Sequence, residues 1–489
     1  MTAMPGDADL VELEASALSE LVRRRDVSCR EVMTAHLDRI EAVNPRVNAV
    51  VHLRPREDLL AEAEAKDALL DAGEHQGWLH GLPVAVKDLN DVAGLPTTKG
   101  FFPDAPPAAT DSLVAARMRA AGAVFVGKTN TPEFGLGSHT YNPVHGTTLN
   151  AWDQTRTAGG SSGGAAVAVA LRMLPVADGS DFFGSLRNPT GWNNVLGLRP
   201  SFGRVPSPGD DVFSSQGGTD GPIARTATDL RLLLRTLSGY DARDPLSLAE
   251  PLATEARPVT GRRVAWMGDL GGYLPMEPEV LEVCRSALAD LERLGLVVEQ
   301  VDDLPAHGTF RSTEDLWPTW LVWRHFLAGS SLKPVHDDPA LRRRLKPEAV
   351  YEVEGLVGAE GRPPLSASEV FEASRRRSDL HEAMRGLFAH HDYVVLPSAQ
   401  LFPFEATLDW PHEIAGRALA TYHRWMEVCA LGTLIGAPAL AMPAGFGAAG
   451  LPIGLQVIAR PRADDAVLDL AEAWQTVTDH HTRRPPLLG

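Results

Sequence analysis

Apolar and polar positions recur along the chain with helical and strand-like spacing, marking a succession of short elements. Ser28 and Glu31 make a capping box, and Met33, Leu37 and Ile40 follow at helical spacing. The helix they predict should stop at Asn44-Pro45. A second helix is expected from Arg56 to Leu70. LPVAVKD reads as a short buried strand ending at Lys87, with a Gly/Pro-rich loop after it. Ser112 to Ala121 is helical, Gly122 ends it, and AVFVGK is a β-branched strand. The stretch from Arg156 to Pro206 is rich in Gly and Ser and holds a small-residue helix at Gly164 to Arg172. RVAWMGDL and LVVEQVDDL read as strands flanking a helix from Glu277 to Leu294. From Ala306 to Arg385 the pattern is helical and charged, and five of the ten Trp lie between Trp317 and Trp425. YVVLPSA returns to the sheet at Tyr393. Such alternation of helix and strand means the α/β class. With no internal repeat and no linker composition, the expectation is one domain over residues 1–489, with a helical subregion at 306–390.

The chain has 489 residues, 44% of them apolar, enough for a large core. A net charge of −17 argues against a nucleic-acid partner, because phosphate binding needs a basic face. It argues equally against an anionic membrane surface. Only six of the 46 Lys and Arg residues are Lys, so each Lys invites scrutiny. Cys29, Cys284 and Cys429 are far apart, which points to reduced thiols rather than a disulfide framework or a Cys-built zinc site. The acidic start MTAMPGDADLVELE lacks the basic and apolar regions of a signal peptide. The longest uncharged stretch, Val428 to Ala459, is broken by Pro438, Pro443, Pro452 and several Gly, so it reads as buried strands. The expectation is a soluble, cytoplasmic protein, a monomer or homodimer.

Several short motifs fail on context. Gly122 to Thr129 fits GxxxxGK[ST], but a phosphate loop follows a strand and opens a helix, whereas here a helix precedes a strand-forming AVFV. Gly160 to Gly164 fits GxSxG around Ser162, yet NAWDQTRTA before it is a poor strand, where a nucleophile elbow requires a good one. The His pairs 390–391 and 480–481 point in divergent directions, and no HExxH occurs. No metal and no cofactor is expected.

Lys87 ends an apolar strand. A free Lys, with a pKa of about 10.4, is almost wholly charged near neutrality. Burial and a second positive group can bring it to roughly 7–8, at a cost of about 4 kcal/mol to the fold. Gly159 to Gly164, GGSSGG, is a flexible turn taken alone, but at a helix start it can present hydroxyls and N–H groups. Asp178 reads as part of a polar turn. In GSDFFGSLRNP, Ser185 sits in a Gly-containing loop whose consecutive N–H groups can form an oxyanion hole.

Lys87, GGSSGG and GSDFFGS, with 24 residues from Ser161 to Ser185, together resemble the amidase signature family. KTNTPEFGLG (128–137), GLRPSFGRVP (197–206), GPIARTATDL (221–230) and PAGFGAAGLPIGLQVIARP look like the same family. The resemblance covers most of the chain and is weakest over 306–390, a region that shapes the substrate pocket in this family. It implies a large mixed twisted β-sheet covered by helices on both sides. It implies a Ser-Ser-Lys triad: Ser185 as nucleophile, Ser161 on a cis peptide bond as the bridge, and a neutral Lys87 as base. The N–H groups of Phe182, Phe183, Gly184 and Ser185 would hold the oxyanion, Asp181 and Arg187 would brace the loop, and Ser162 would hydrogen-bond within the triad. The reaction implied is hydrolysis of a C–N bond through an acyl-enzyme.

Two departures stand out. Family members commonly have Gly at the position of Phe183, so Phe182 and Phe183 are expected to line an apolar acyl or leaving-group pocket. The GWNN segment after Thr190 looks closer to the branch with cyclic-amide and nylon-oligomer hydrolases, aryl acylamidases and urethane hydrolases. The expected partner is therefore a small-molecule amide, with anilides and carbamates as candidates and esterase side activity. The alternative is the subunit of an amidotransferase that takes ammonia from glutamine. The Trp-rich segment (Trp317, Trp320, Trp323) is expected to be aromatic core before pocket wall.

Overall fold

The computed structural model describes residues 10–209, 211–214 and 216–489. Strands β1 (Val50–Val51), β2 (Pro83–Lys87) and β3 (Val124–Thr129) form a small sheet with β3 in the middle. In it β1 runs antiparallel to β3 and β2 runs parallel to it. A second sheet is built from β4 (Val176–Asp181), β5 (Leu196–Arg199), β6 (Thr219–Ala224), β7 (Arg263–Trp266), β8 (Val297–Gln300), β9 (Tyr393–Pro397), β10 (Ala439–Phe446) and β11 (Pro452–Ala459). Its eight strands lie in the order β4-β6-β5-β10-β11-β9-β7-β8. The pairs β7/β8 and β7/β9 are parallel and the others antiparallel, so the sheet is mixed, as expected. β9 and β11 are buried at every position, which is why they read as continuous apolar runs.

The helices pack on these sheets. Gly163–Ala170 lies against β2, β3, β4 and β6, and Arg187–Trp192 against β5, β10 and β11. Pro278–Arg293 and Asp464–Val477 cover β10 and β11. The first sequence helix departs from expectation. Cys29–Val47 runs past Pro45 and ends at Asn48, which adopts a left-handed conformation (φ 53°) and donates its N–H to Asn44 O at 2.7 Å. Proline removes one N–H and crowds the carbonyl four residues earlier, but in the last turn only two further residues follow it and the helix ends at once in the Asn48 cap. Asn44 then secures the exit, its Oδ1 accepting from the N–H groups of Ala49 and Val50 at 2.9 and 2.8 Å.

The region after Ala306 is helical as expected, with Leu316–Arg324, Ser330–Asp337, Pro347–Val357 and Ala367–Leu387. Ser366 and Glu369 cap the last of these with a capping box. Trp320, Leu380 and Met384 join the main core. Leu332, Leu345, Ala349 and Val353 instead make a separate small core with Phe101 and Leu136. Among the described residues no helix is long and apolar enough to cross a membrane.

Candidate active site

Lys87 is the last residue of β2 and is fully buried. Its Nζ donates to Ser161 Oγ at 2.8 Å, Ser162 Oγ at 3.0 Å and Ser180 Oγ at 3.0 Å, with Ser180 O at 3.4 Å. Every partner is a neutral oxygen, and among the described residues the ammonium makes no ion pair. The backbone N–H of Lys87 donates to Asp178 Oδ1 at 3.0 Å, which fixes the strand end. Asp178 is therefore not in a polar turn: it lies on β4, fully buried, paired across to β6. VADGSD has turn-like composition, but the small side chains let β4 come up against β2 and the helix Gly163–Ala170.

The GGSSGG segment leads into that helix. The Gly160–Ser161 peptide bond is cis. Ser162 occupies the N-cap position but makes no capping bond, because its hydroxyl is engaged by Lys87. A Cβ on Gly164 would meet Asn130 N at 2.4 Å and Ala49 O at 2.6 Å, so only glycine allows the helix start to lie this close to the small sheet. Ser138 and Thr140 donate to the carbonyls of Gly160 and Gly159 at 2.6 and 2.8 Å and pin the turn from the other side.

Ser185 follows the end of β4 and is buried. Its carbonyl accepts from Ser162 N at 3.3 Å, which joins the two Ser segments. No hydrogen bond links Ser161 Oγ to Ser185 Oγ among the described residues, so the bridge implied by the resemblance is unmade in this arrangement. The expected oxyanion donors divide as well. The Gly184 N–H is taken by Asp181 Oδ1 at 2.9 Å, whereas those of Phe182, Phe183 and Ser185 have no protein acceptor among the described residues. Gly184 has φ +96°, and a Cβ there would meet Asn188 Oδ1 at 2.5 Å. This explains why glycine holds that position while Phe is tolerated one residue earlier.

Asp181 and Arg187 brace the loop. Both are fully buried, and the guanidinium grips the carboxylate with Nε at 2.9 Å and Nη2 at 2.8 Å. Arg187 also reaches Cys429 O and Thr433 Oγ1, each at 2.9 Å, and Gln456 Oε1. Asp181 additionally accepts from the N–H of Leu186 at 3.0 Å. Phe183 departs from the pocket-lining role. It is 4% exposed and stacks face to face on Trp320, with ring centroids 3.7 Å apart. Phe182 is half-buried, edge-on to Trp320 at 5.4 Å and beneath the Arg324 guanidinium at 4.7 Å. The two rings fasten the loop to helix Leu316–Arg324.

Burial lowers the Lys87 pKa to about 7, against the pull of Asp220, Asp178 and Asp181. The N-terminal end of helix Gly163–Ala170 beside Nζ opposes the charged form further. Burial also raises Asp178 to about 6, with Asp220 adding to the shift, and Asp220 itself is pushed up by burial. Asn90 Nδ2 bridges these two, at 3.5 Å from Asp178 and 3.1 Å from Asp220. Burial would raise Asp181 too, but Arg187 and Arg199 outweigh it and hold that carboxyl well below the usual range. Ser180 lies in the GSDFFGS motif without a role assigned to it there, and Asp220 sits in no motif that ties it to Lys87.

Lys128 does not serve a phosphate loop: it lies near the end of a strand, buried, with Nζ on Asn90 O and on Thr97 Oγ1 at 3.0 Å. His52, Asp88 and His145 bring metal-ligating side chains within 4.8 Å of one another. Asp88 is already engaged there by the N–H and hydroxyl of Thr98 and faces Lys128 Nζ at 3.8 Å.

Comparison with known proteins agrees with this geometry. The amidase family model matches residues 31–468. The chain is similar to an acylamidase of Rhodococcus erythropolis, 35% identical over 97% of each chain. It is also similar to a glutamyl-tRNA(Gln) amidotransferase subunit of Moorella thermoacetica, 34% identical over 98% of this chain and 99% of that one. The crystal structure of a bacterial aryl acylamidase superposes with a TM-score of 0.86 at 28% identity, covering 99% of both chains. A mixed sheet of this topology and a family match across most of the chain lead to one conclusion: the chain belongs to the amidase signature family and is an amide-hydrolysing enzyme.

Proposed function

We propose that the protein is a serine amidohydrolase acting on small amides, with anilides and carbamates as its substrate range and esters as side substrates. Lys87, Ser161 and Ser185 form its relay. The observation that carries this reading is a buried, unpaired lysine, with a pKa of about 7, hydrogen-bonded to Ser161 Oγ at 2.8 Å. Neutral Lys87 takes the Ser185 proton through Ser161. Ser161 Oγ must reach Ser185 Oγ for this, and such catalytic contacts commonly tighten only with substrate bound. Ser185 Oγ attacks the carbonyl carbon. The charge that develops on oxygen is met by the free N–H groups of Phe182, Phe183 and Ser185. The relay returns the proton to the leaving nitrogen, and water hydrolyses the acyl-enzyme.

The similarity to amidotransferase subunits favours a second reading, a subunit that releases ammonia from glutamine within a larger assembly. One panel separates the two: an aliphatic amide, an anilide, a chromogenic carbamate, a nitrophenyl ester and glutamine, each with wild type and Ser185→Ala. Turnover of the anilide or carbamate by the lone chain, lost in the variant, is expected. Activity on glutamine alone would favour the amidotransferase. Turnover surviving Ser185→Ala would end the first reading.

A further inference from the structure

Two carboxylates and a hydroxyl of the large sheet share one face beside Lys87. Side chains two apart on a strand point the same way, and so do directly opposed ones on an antiparallel neighbour. Asp178 and Ser180 are two apart on β4, and Asp220 on β6 stands directly opposite Ser180. That face looks at the end of β2, because Ser180 Oγ accepts from Lys87 Nζ at 3.0 Å and Asp178 Oδ1 accepts from the Lys87 N–H. Asn90, in the loop after Lys87, ties the carboxylates together: its Nδ2 donates to Asp220 Oδ1 at 3.1 Å and, more loosely, to Asp178 Oδ2 at 3.5 Å. Asp178 is fully buried and Asp220 partly so. Neither touches Lys87 Nζ, whose partners are all neutral oxygens.

Their effect on Lys87 is therefore exerted through space. A nearby carboxylate favours the charged lysine, whereas one in contact holds a cation charged outright, as Asp181 does Arg187. The other charges of the packed elements are engaged elsewhere. Asp181, at the end of β4, faces Arg187 and Arg199. Lys128 on β3 and Asp88 after β2 lie 3.8 Å apart, with His145 beside Asp88, and Asp91 is exposed. After β6, Arg225 donates to the carbonyls of Val11 and Leu13. On helix Ala227–Leu237, Asp229 accepts from the N–H groups of Ala15 and Ser16, and Arg231 binds Asp465, Asp469 and Glu472. Burial keeps His36, on helix Cys29–Val47, neutral, and helix Gly163–Ala170 carries no charged side chain. We propose that Asp178 and Asp220, joined by Asn90, are positioning residues whose joint negative charge sets the pH at which Lys87 becomes a base. Without them the lysine would shed its proton at lower pH and be a weaker base. The inference deepens the amidohydrolase reading and rests on it for the consequence in turnover.

Lys87 can be followed directly, because the chain has only six Lys. In the full chain carrying Ser185→Ala and isotope-labelled lysine, NMR should show the Lys87 side chain titrating near neutrality. Asp220→Asn should lower that midpoint by about one pH unit. Asp178→Asn, whose amide oxygen still accepts from the Lys87 N–H, should lower it too, and the two together further. Asp220→Glu, which keeps the charge, should hold it near the wild-type value. An unmoved or raised midpoint in either Asn variant would overturn the pair. In the active enzyme the rise of kcat/KM on an anilide should move to lower pH by the same amount in Asp220→Asn, with KM little changed and a plateau severalfold lower. A merely structural loss would lower the plateau and leave the midpoint in place. A Lys87 midpoint that moves while the activity profile does not would sink the relay alone. Ser185-dependent turnover with an unmoved Lys87 would sink the carboxylate pair alone.

Discussion

Two buried cations lie close together around the Ser185 loop, and they are held in opposite ways. Arg187 is clamped by Asp181 through two hydrogen bonds and by three further acceptors. Lys87, just as buried, is given only hydroxyls and a carbonyl. Burial disfavours the charged form of both, but Asp181 holds Arg187 charged while Lys87 falls to about 7. Depth within the protein thus says little about whether a cation is structural or reactive. The company it keeps differs: Arg187 has a carboxylate in contact, whereas Lys87 has only neutral oxygens, the setting that the proposed base requires.

The strongest way to break this contrast is to remove the groups of the proposed relay. Ser185→Ala and Lys87→Met should each lower kcat/KM on an anilide by roughly 10³-fold or more, the scale on which relay residues act. Loss of less than tenfold would show that the relay runs elsewhere. The two cations should then separate in stability. Arg187→Met leaves the buried Asp181 with only Arg199 and the N–H groups of Gly184 and Leu186, and should cost about 3 kcal/mol in urea unfolding, the low end for a broken buried pair. Lys87→Met should instead raise stability. The Lys87 pKa is lower folded than unfolded, so its burden is fully present below pH 7 and eases as pH climbs toward the free-lysine value. The gain from Lys87→Met should therefore be larger at pH 6 than at pH 9.5, and a gain that grew with pH would refute a neutral lysine.

The pH profile sharpens the same point. kcat/KM should rise through about pH 7 and level off above it, as Lys87 loses its proton. A flat profile between pH 5.5 and 8.5 would mean that another group is the base. The smallest effect is expected at the aromatic anchor. Phe183→Leu should cost about 1 kcal/mol through loss of its stack on Trp320 and lower turnover of anilide and aliphatic amide to a similar extent. A severalfold shift in the anilide-to-amide preference would return the ring to the pocket wall.

Much of the frame was legible because it is written locally. Strand ends, the capping box at Ser28 and Glu31, the small-residue helix and the Asp181–Arg187 loop all lie within short windows of sequence. Pro45 misled because its penalty depends on where in a helix it falls. Asp178 misled because a strand of Ala, Gly and Ser looks like a turn until its neighbours are known. Gly184 seemed an oxyanion donor because the loop reads as a run of equal N–H groups, yet Asp181 folds back onto one of them. Asp220, which faces Lys87 and takes a hydrogen bond from Asn90, is joined to the site only by the folded chain.

Lys87 belongs to the small sheet, whereas Ser180 lies on the edge strand of the large one and Ser185 in the loop after it, with the start of helix Gly163–Ala170 packed against both β2 and β4. The proposed relay thus joins groups from the two sides of a seam between the sheets. Turnover then becomes a gauge of how well the two sheets are mated. A substitution far from any substrate that shifts this joint by a fraction of an ångström should silence the enzyme while leaving both halves intact.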